Sequence, residues 1–221
     1  DLAILLKLGM QQITFYPLMV STLTRRLMQK TLGDVNFRRE KSFFNRIRRR
    51  LEPQYDSSSA WCFSRKSPAS SLIDEYVVDF DEYAGLGSGA IGYLQGVCYA
   101  NTFDIERYIR DLTQDRLPLQ ASRQFDLPDR MRYDFLMKLF STRMNVEELE
   151  KKYGGRFFKT LWKEMAAFIL AGSFRFFSPH LYLTPRGRYL WVVMMREFFI
   201  AVNNFRDHCR REAGLEERAV E

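Results

Sequence analysis

Four glycines fall within eight residues, at Gly85, Gly87, Gly89 and Gly92, in the run Tyr83-Ala-Gly-Leu-Gly-Ser-Gly-Ala-Ile-Gly92. Glycine inside a helix or strand costs roughly 0.5–1 kcal/mol relative to alanine. This density therefore points to a backbone that turns sharply or is closely approached. The apolar run Glu75-Tyr-Val-Val-Asp-Phe80 leads in, and Gln95-Gly-Val-Cys-Tyr-Ala-Asn101 leads out toward a helix. Gly87-Ser-Gly-Ala-Ile-Gly92 also fits a dinucleotide fingerprint. That fingerprint opens a helix inside the motif and places an acidic residue about 20 positions on, whereas the residues after Gly92 stay apolar and aromatic. A tight crossing between packed layers is a second reading.

A third reading is a resemblance. The glycine run, with Tyr99-Ala-Asn101 and Tyr108-Ile109 after it, is similar to a segment of the radical S-adenosylmethionine (SAM) proteins related to oxygen-independent coproporphyrinogen III oxidase. Ile13-Thr-Phe-Tyr-Pro-Leu18 resembles a late barrel strand of that family, and Leu183-Thr-Pro-Arg-Gly187 resembles a motif near the end of its C-terminal domain. Trp61-Cys-Phe-Ser-Arg65 looks most like the branch that degrades haem anaerobically.

The resemblance implies an α/β plus α+β fold: the C-terminal part of a partial TIM-like (β/α) barrel, then a winged-helix-like helical domain. It implies SAM and a [4Fe–4S] cluster as cofactors of the intact protein, haem as a candidate ligand, and a tetrapyrrole substrate. Gly87, Gly89, Ala90 and Ile91 would lie against SAM, and Tyr16, Arg65 and Gln95 on the substrate side. Implied partners are the N-terminal barrel portion of the same protein and an electron donor for the cluster. The family holds its cluster with a Cys-x3-Cys-x2-Cys motif, which Cys62, Cys98 and Cys209 cannot reproduce at their spacing. No metal site and no radical activity are therefore expected of this chain alone. Asp1-Leu-Ala-Ile-Leu-Leu-Lys-Leu8 reads as the end of a helix already under way, so the chain is taken as the C-terminal portion of a longer protein.

Composition is compatible with this. With 46% hydrophobic and 28% charged residues, the 221-residue chain is globular in character and long enough for one large or two modest domains. Three unevenly spaced cysteines suggest no disulfide framework, which favours a cytoplasmic setting. No apolar run approaches the ~20 residues of a membrane span. The net charge of +7 asks for an anionic partner: nucleic acid, a cofactor, or a carboxylate-rich substrate.

Along the chain, a helix ending at Gly9 precedes a strand at Gln12–Tyr16, stopped by Pro17. Asn36 caps a helix over Phe37–Leu51 whose outer face carries six arginines between Arg38 and Arg50. Ser57–Arg65 reads as a strand with Trp61 and Phe63 on one face and Cys62 on the other, and 73–80 as a strand feeding the glycines. Asp104 caps a helix with Ile105, Tyr108, Ile109 and Leu112 at helical spacing. The polar stretch 113–128 reads as an irregular linker between domains 1–112 and 129–221.

The second domain begins with a helix at Asp129–Phe140 and another at Val146–Tyr153 capped by Asn145. A third helix at Arg156–Ala171 is expected to bury Phe158, Leu161, Trp162, Met165, Phe168 and Ile169. A hairpin and a long last helix from Arg188 follow, the latter with Leu190, Val193, Met194, Phe198 and Val202 inward. Arg156, Lys159 and Lys163 on the third helix keep a second function open, a basic winged-helix nucleic-acid binder without catalysis. The absence of Asn or Gln on that face, and Glu164 beside Lys163, argue against base readout. His180 lies in a turn, and His208 with Cys209 cannot make a four-ligand zinc site.

Overall fold

The computed structural model describes residues 1–66 and 80–214. Most of the expected strand 73–80 and of the loop before it lie outside the described residues.

Helix α1 (Leu2–Leu8) ends where Gly9 turns left-handed at φ 63°. Strand β1 (Gln12–Thr14) follows, then helix α2 (Arg25–Leu32) and helix α3 (Phe37–Leu51). Asn36 caps α3 by accepting from the Arg39 amide at 3.0 Å. Strands β2 (Tyr55–Ser57) and β3 (Cys62–Arg65) complete a sheet in the order β1-β3-β2, with both pairings antiparallel. The parallel pairing expected of a (β/α) barrel is thus not formed among the described residues. Strand β3 folds back onto β2 and pairs antiparallel with β1 on its other side.

Strand β3 has a core on each side. Phe63 packs with Ile13, Leu51 and Tyr55, while Trp61 and Cys62 belong to the main core with Met131, Leu139 and Phe140. Trp61 does not share the face of Phe63 as an alternating strand would have it, because it sits in the bend before the strand.

Strands β4 (Ile91–Leu94) and β5 (Val97–Asn101) form a hairpin whose turn residues Gln95 and Gly96 both have positive φ, 51° and 82°. That is the signature of a mirror-image turn, which suits the twist of paired strands. Helix α4 (Ile105–Thr113) is capped by Asp104, but Ile105, Ile109 and Leu112 face outward. Its inward side carries Tyr108 and the buried Asp111, which pairs with Arg107 and Arg116. The stretch read as an irregular linker contains strand β6 (Leu119–Gln124), which pairs with β5 and completes the sheet β4-β5-β6. Its polar sequence hides a strand that is half-exposed and held by its backbone partners.

Helix α5 (Leu127–Phe140) is capped by Asp126 and buries Met131, Phe135, Met137, Leu139 and Phe140. Strand β7 (Arg143–Asn145), helix α6 (Val146–Lys152), the short helix α7 (Phe157–Thr160) and helix α8 (Trp162–Leu170) follow. The single third helix expected is thus two, broken at Leu161, whose side chain is buried. Of the residues expected inside, Leu161 and Met165 are buried, while Trp162 and Ile169 are exposed. Strands β8 (Phe174–Phe177) and β9 (His180–Leu183) form a hairpin that takes β7 as its third strand, in the order β7-β9-β8. Helix α9 (Pro185–Glu212) spans 28 residues and closes the molecule. Its buried stripe is Trp191, Val192, Met195 and Arg196, displaced by about one residue from the expected one. Gly187 sets that phase, since a Cβ there would collide with the Ser173 carbonyl.

Candidate functional site

The glycine segment owes its shape to its own strands. Gly85 lies so close to β4 that a Cβ would stand 2.6 Å from the Ile91 carbonyl. Gly92 faces Tyr99 across the β4–β5 ladder, and its missing side chain lets the Tyr99 ring cross the strand. The Tyr99 hydroxyl then accepts from the Gly85 amide at 2.9 Å, and the Tyr108 hydroxyl accepts from the Gly87 amide at 3.0 Å. Asn101 Nδ2 donates to the carbonyls of both Gly85 and Gly87 at 3.0 Å. The Gly89 amide donates to Thr102 O, and the Ala90 amide to Gly87 O.

These bonds bear on the expected cofactor contacts. The amides of Gly87, Gly89 and Ala90 have partners within the protein, so a ligand would have to compete for them. Among these four positions, Ile91 lines the cavity described below.

The segment is also fastened from outside. Asp81 pairs with Lys138 of α5 at 2.6 Å and with Lys152 of α6 at 2.8 Å. Lys152 continues to the buried Asp134 at 2.8 Å, which accepts from the Tyr153 hydroxyl at 2.7 Å. Partial burial of Asp81 would raise its pKa, but the hydrogen bonds and charges of the two lysines outweigh this and lower it below the ordinary 3.8.

Held this way, Tyr83 and Ile91 form one wall of a cavity of about 570 Å³, inside the ~300–1,000 Å³ range of small-molecule sites. Sheet β4-β5-β6 gives further wall residues, Tyr99 and Arg123 among them, α5 gives Tyr133 and Met137, and α9 gives Phe198, Phe199, Phe205 and Arg206. Tyr16 and Trp61 close one end, their rings edge to face at 5.2 Å. Nine lining residues are aromatic, so the space suits a flat, extended ligand. Polar character is confined to a few groups. Tyr133 donates to the Tyr83 hydroxyl at 3.4 Å, and burial, then the neighbouring Tyr83, raises its pKa well above the ordinary range. Burial likewise pushes the Cys98 thiol up.

Of the residues singled out from sequence, Tyr16 and Ile91 meet in this cavity. Arg65 does not line it: its Nη1 donates to the Gly9 carbonyl at 3.0 Å. Gln95 does not line it either, being placed in the β4–β5 turn with its amide on Glu82. Sequence reasoning missed Arg123, Tyr133, Phe199 and Arg206. The i, i+7 spacing of Phe198, Phe205 and of Phe199, Arg206 on a long helix was a signal for part of this set.

The three cysteines lie on separate elements, and no group of three or more His, Cys, Asp or Glu residues among the described residues could hold a metal ion. The side chains present do not fit a [4Fe–4S] cluster. No helix among the described residues is long and apolar enough to cross a membrane.

No family model matches the chain, and no curated protein matches it. Among solved structures it is similar to the coproporphyrinogen III oxidase of Escherichia coli, a radical SAM enzyme, with a TM-score of 0.61 and 14% sequence identity. The match covers 90% of this chain and 50% of that one, so the chain spans about half the length of the protein it matches. The likeness is one of fold.

Proposed function

We propose that this chain is the C-terminal portion of a radical SAM enzyme that acts on a tetrapyrrole, and that the aromatic cavity receives the flat ring system. The observation that carries the reading is the cavity itself: about 570 Å³, walled by nine aromatic residues. The fold likeness supports it independently. In the intact protein a [4Fe–4S] cluster, held by cysteines outside this chain, would supply the electron that cleaves SAM to a radical. An N-terminal barrel portion and an electron donor are the partners this requires.

The role of the present residues is to bind and orient the ring and to exclude water. Tyr16 and Trp61 close the end of the cavity, and the glycine segment holds Tyr83 and Ile91 against it. The winged-helix reading of α5–α9 belongs to the same proposal, with this unit serving as the wall that α9 presents to the ring. Trp61 and Arg65 both have structural uses, in the cavity wall and at the end of α1. The resemblance of their run to the haem-degradation branch therefore does not narrow the proposal below a tetrapyrrole.

The test is an anaerobic haem titration followed by absorbance, on the protein joined to the barrel portion, with iron and sulfide measured in the same sample. About four irons per chain with saturable haem binding is the expected result. No cluster and no haem binding would sink the reading and favour DNA binding by the α5–α9 unit.

A further inference from the structure

We propose that the cavity selects its ligand by carboxylates, and that Arg123 on β6 and Arg206 on α9 are the residues that read them. The inference deepens the tetrapyrrole reading and rests on it for the identity of the ring. The charge argument stands on the cavity wall alone.

Among the described residues, the wall contains two arginines and no Asp, Glu, Lys or His. Tyr133 is held neutral, since burial and the Tyr83 contact keep its proton on. The cavity is therefore apolar with charge of one sign, an arrangement that repels cations and rewards a flat molecule carrying acids.

The two guanidinium groups have little to give up. Arg123 lines the cavity with its side chain 75% exposed and its guanidinium 5.8 Å from the Phe125 ring centre. Its link to Asp129 is long, at 3.4 Å, and solvent-exposed, so it contributes little. Arg206 is half-buried and among the described residues makes one long bond, 3.4 Å, from Nη1 to Asn203 Oδ1. A guanidinium has five donors in a fork that matches a carboxylate. The two arginines come from different elements, a strand and a helix, which fits a ligand with at least two acidic arms.

The test uses the full chain and three fluorescent probes: mesoporphyrin, which has two propionates; pyrenetetracarboxylate; and neutral pyrene. Each is titrated against the wild type, R123Q, R206Q and the double variant. The double variant is expected to bind both acids at least about tenfold more weakly, the scale of losing hydrogen bonds to a charged group. Pyrene affinity is expected to stay within about twofold, because area burial does not depend on the charges.

Pyrene also reports whether a variant keeps the cavity. If R206Q loses pyrene, R206K carries the test, with acid binding expected between wild type and R123Q/R206Q. Equal binding of mesoporphyrin by the wild type and the double variant would overturn the arginine assignment and leave the tetrapyrrole reading standing. Arginine-dependent binding of pyrenetetracarboxylate without mesoporphyrin binding would uphold the arginines and remove the tetrapyrrole. A wild type that binds none of the probes overturns both.

Discussion

The first 66 residues and the stretch from Leu127 onward solve the same packing problem with different completeness. From α5 onward, Met131, Leu139, Phe140, Phe157, Leu161, Trp191 and Met195 are all sealed from solvent within one core. The early segment buries Ile13, Leu51, Tyr55 and Phe63 in its own cluster, and leaves Ile4, Leu8, Leu27, Leu32 and Phe43 at least 49% exposed. Helices α1 and α2 have no buried residue at all. The later region is thus held by its own interior. The earlier one has a small cluster of its own, sets Ala60, Trp61 and Cys62 into the main core, and is clamped from α9.

The sharpest way to break this contrast is to hollow the later core. Trp191 donates from Nε1 to the Leu136 carbonyl at 2.9 Å and packs against Phe135, Phe168 and Phe174. Trp191→Ala is expected to cost about 4 kcal/mol, seen as an early urea midpoint. A loss below about 1 kcal/mol, the scale of ordinary substitutions, would show that the core is not the main source of stability.

The next largest effect concerns the clamp. Arg196 makes two bonds to Glu40, at 2.9 and 2.7 Å, with its own side chain 4% exposed, and its guanidinium lies over the Phe37 ring at 4.7 Å. Arg196→Ala leaves the partly buried Glu40 carboxylate without its counter-charge, with the Tyr189 hydroxyl still donating to it, and should cost about 2 kcal/mol. Amide exchange should accelerate in α3 while α5 and α6 stay protected. Uniform acceleration would mean that the two regions open as one.

Asn36→Ala removes the cap of α3 and should cost about 1 kcal/mol, read in the same exchange experiment as fraying of the first turn alone. If the whole helix exchanged faster, α3 would be less firmly clamped than the Arg196 bonds imply.

The smallest effect is a pH dependence. Because the folded pKa of Asp81 is depressed, its contribution is fully present above pH 3.8 and is lost as pH falls through the lowered folded value. Asp81→Asn should flatten that acid limb without moving the neutral-pH midpoint much, since the carboxylate is 46% exposed. An unchanged acid limb would mean that Lys138 and Lys152 do not hold the segment through this carboxylate.

What could be read from the residues in order divides along physical lines. Caps are local chemistry, and Asn36, Asp104 and Asn145 each accept the amide bonds their positions suggest. The turn at Gly9 and the hairpin at Phe174–Leu183 are local in the same sense. Strand β6 was hidden because only Leu119 and Ala121 of its six residues are apolar, too few to mark a strand without the pairing with β5. The break at Leu161 and the phase of α9 depend on neighbours far along the chain, Ser173 against Gly187 among them. The candidate site divides likewise. Tyr16 and Ile91 were visible beside their punctuating Pro17 and glycines, whereas Arg123 and Arg206 join the cavity only once β6 and α9 face each other.

The reach of α9 has a consequence for how the chain comes into being. It binds residues made long before it: Arg188 donates to Ser57 across 131 positions, Arg196 to Glu40 across 156 and Asn203 to the Met19 carbonyl across 184. A ribosome adding about 5–20 residues per second delivers α3 many seconds before the helix that clamps it. Throughout that interval Glu40, Ser57 and the Met19 carbonyl lack the partners that α9 later brings, so the newborn chain offers chaperones a side of α3 that the finished protein engages.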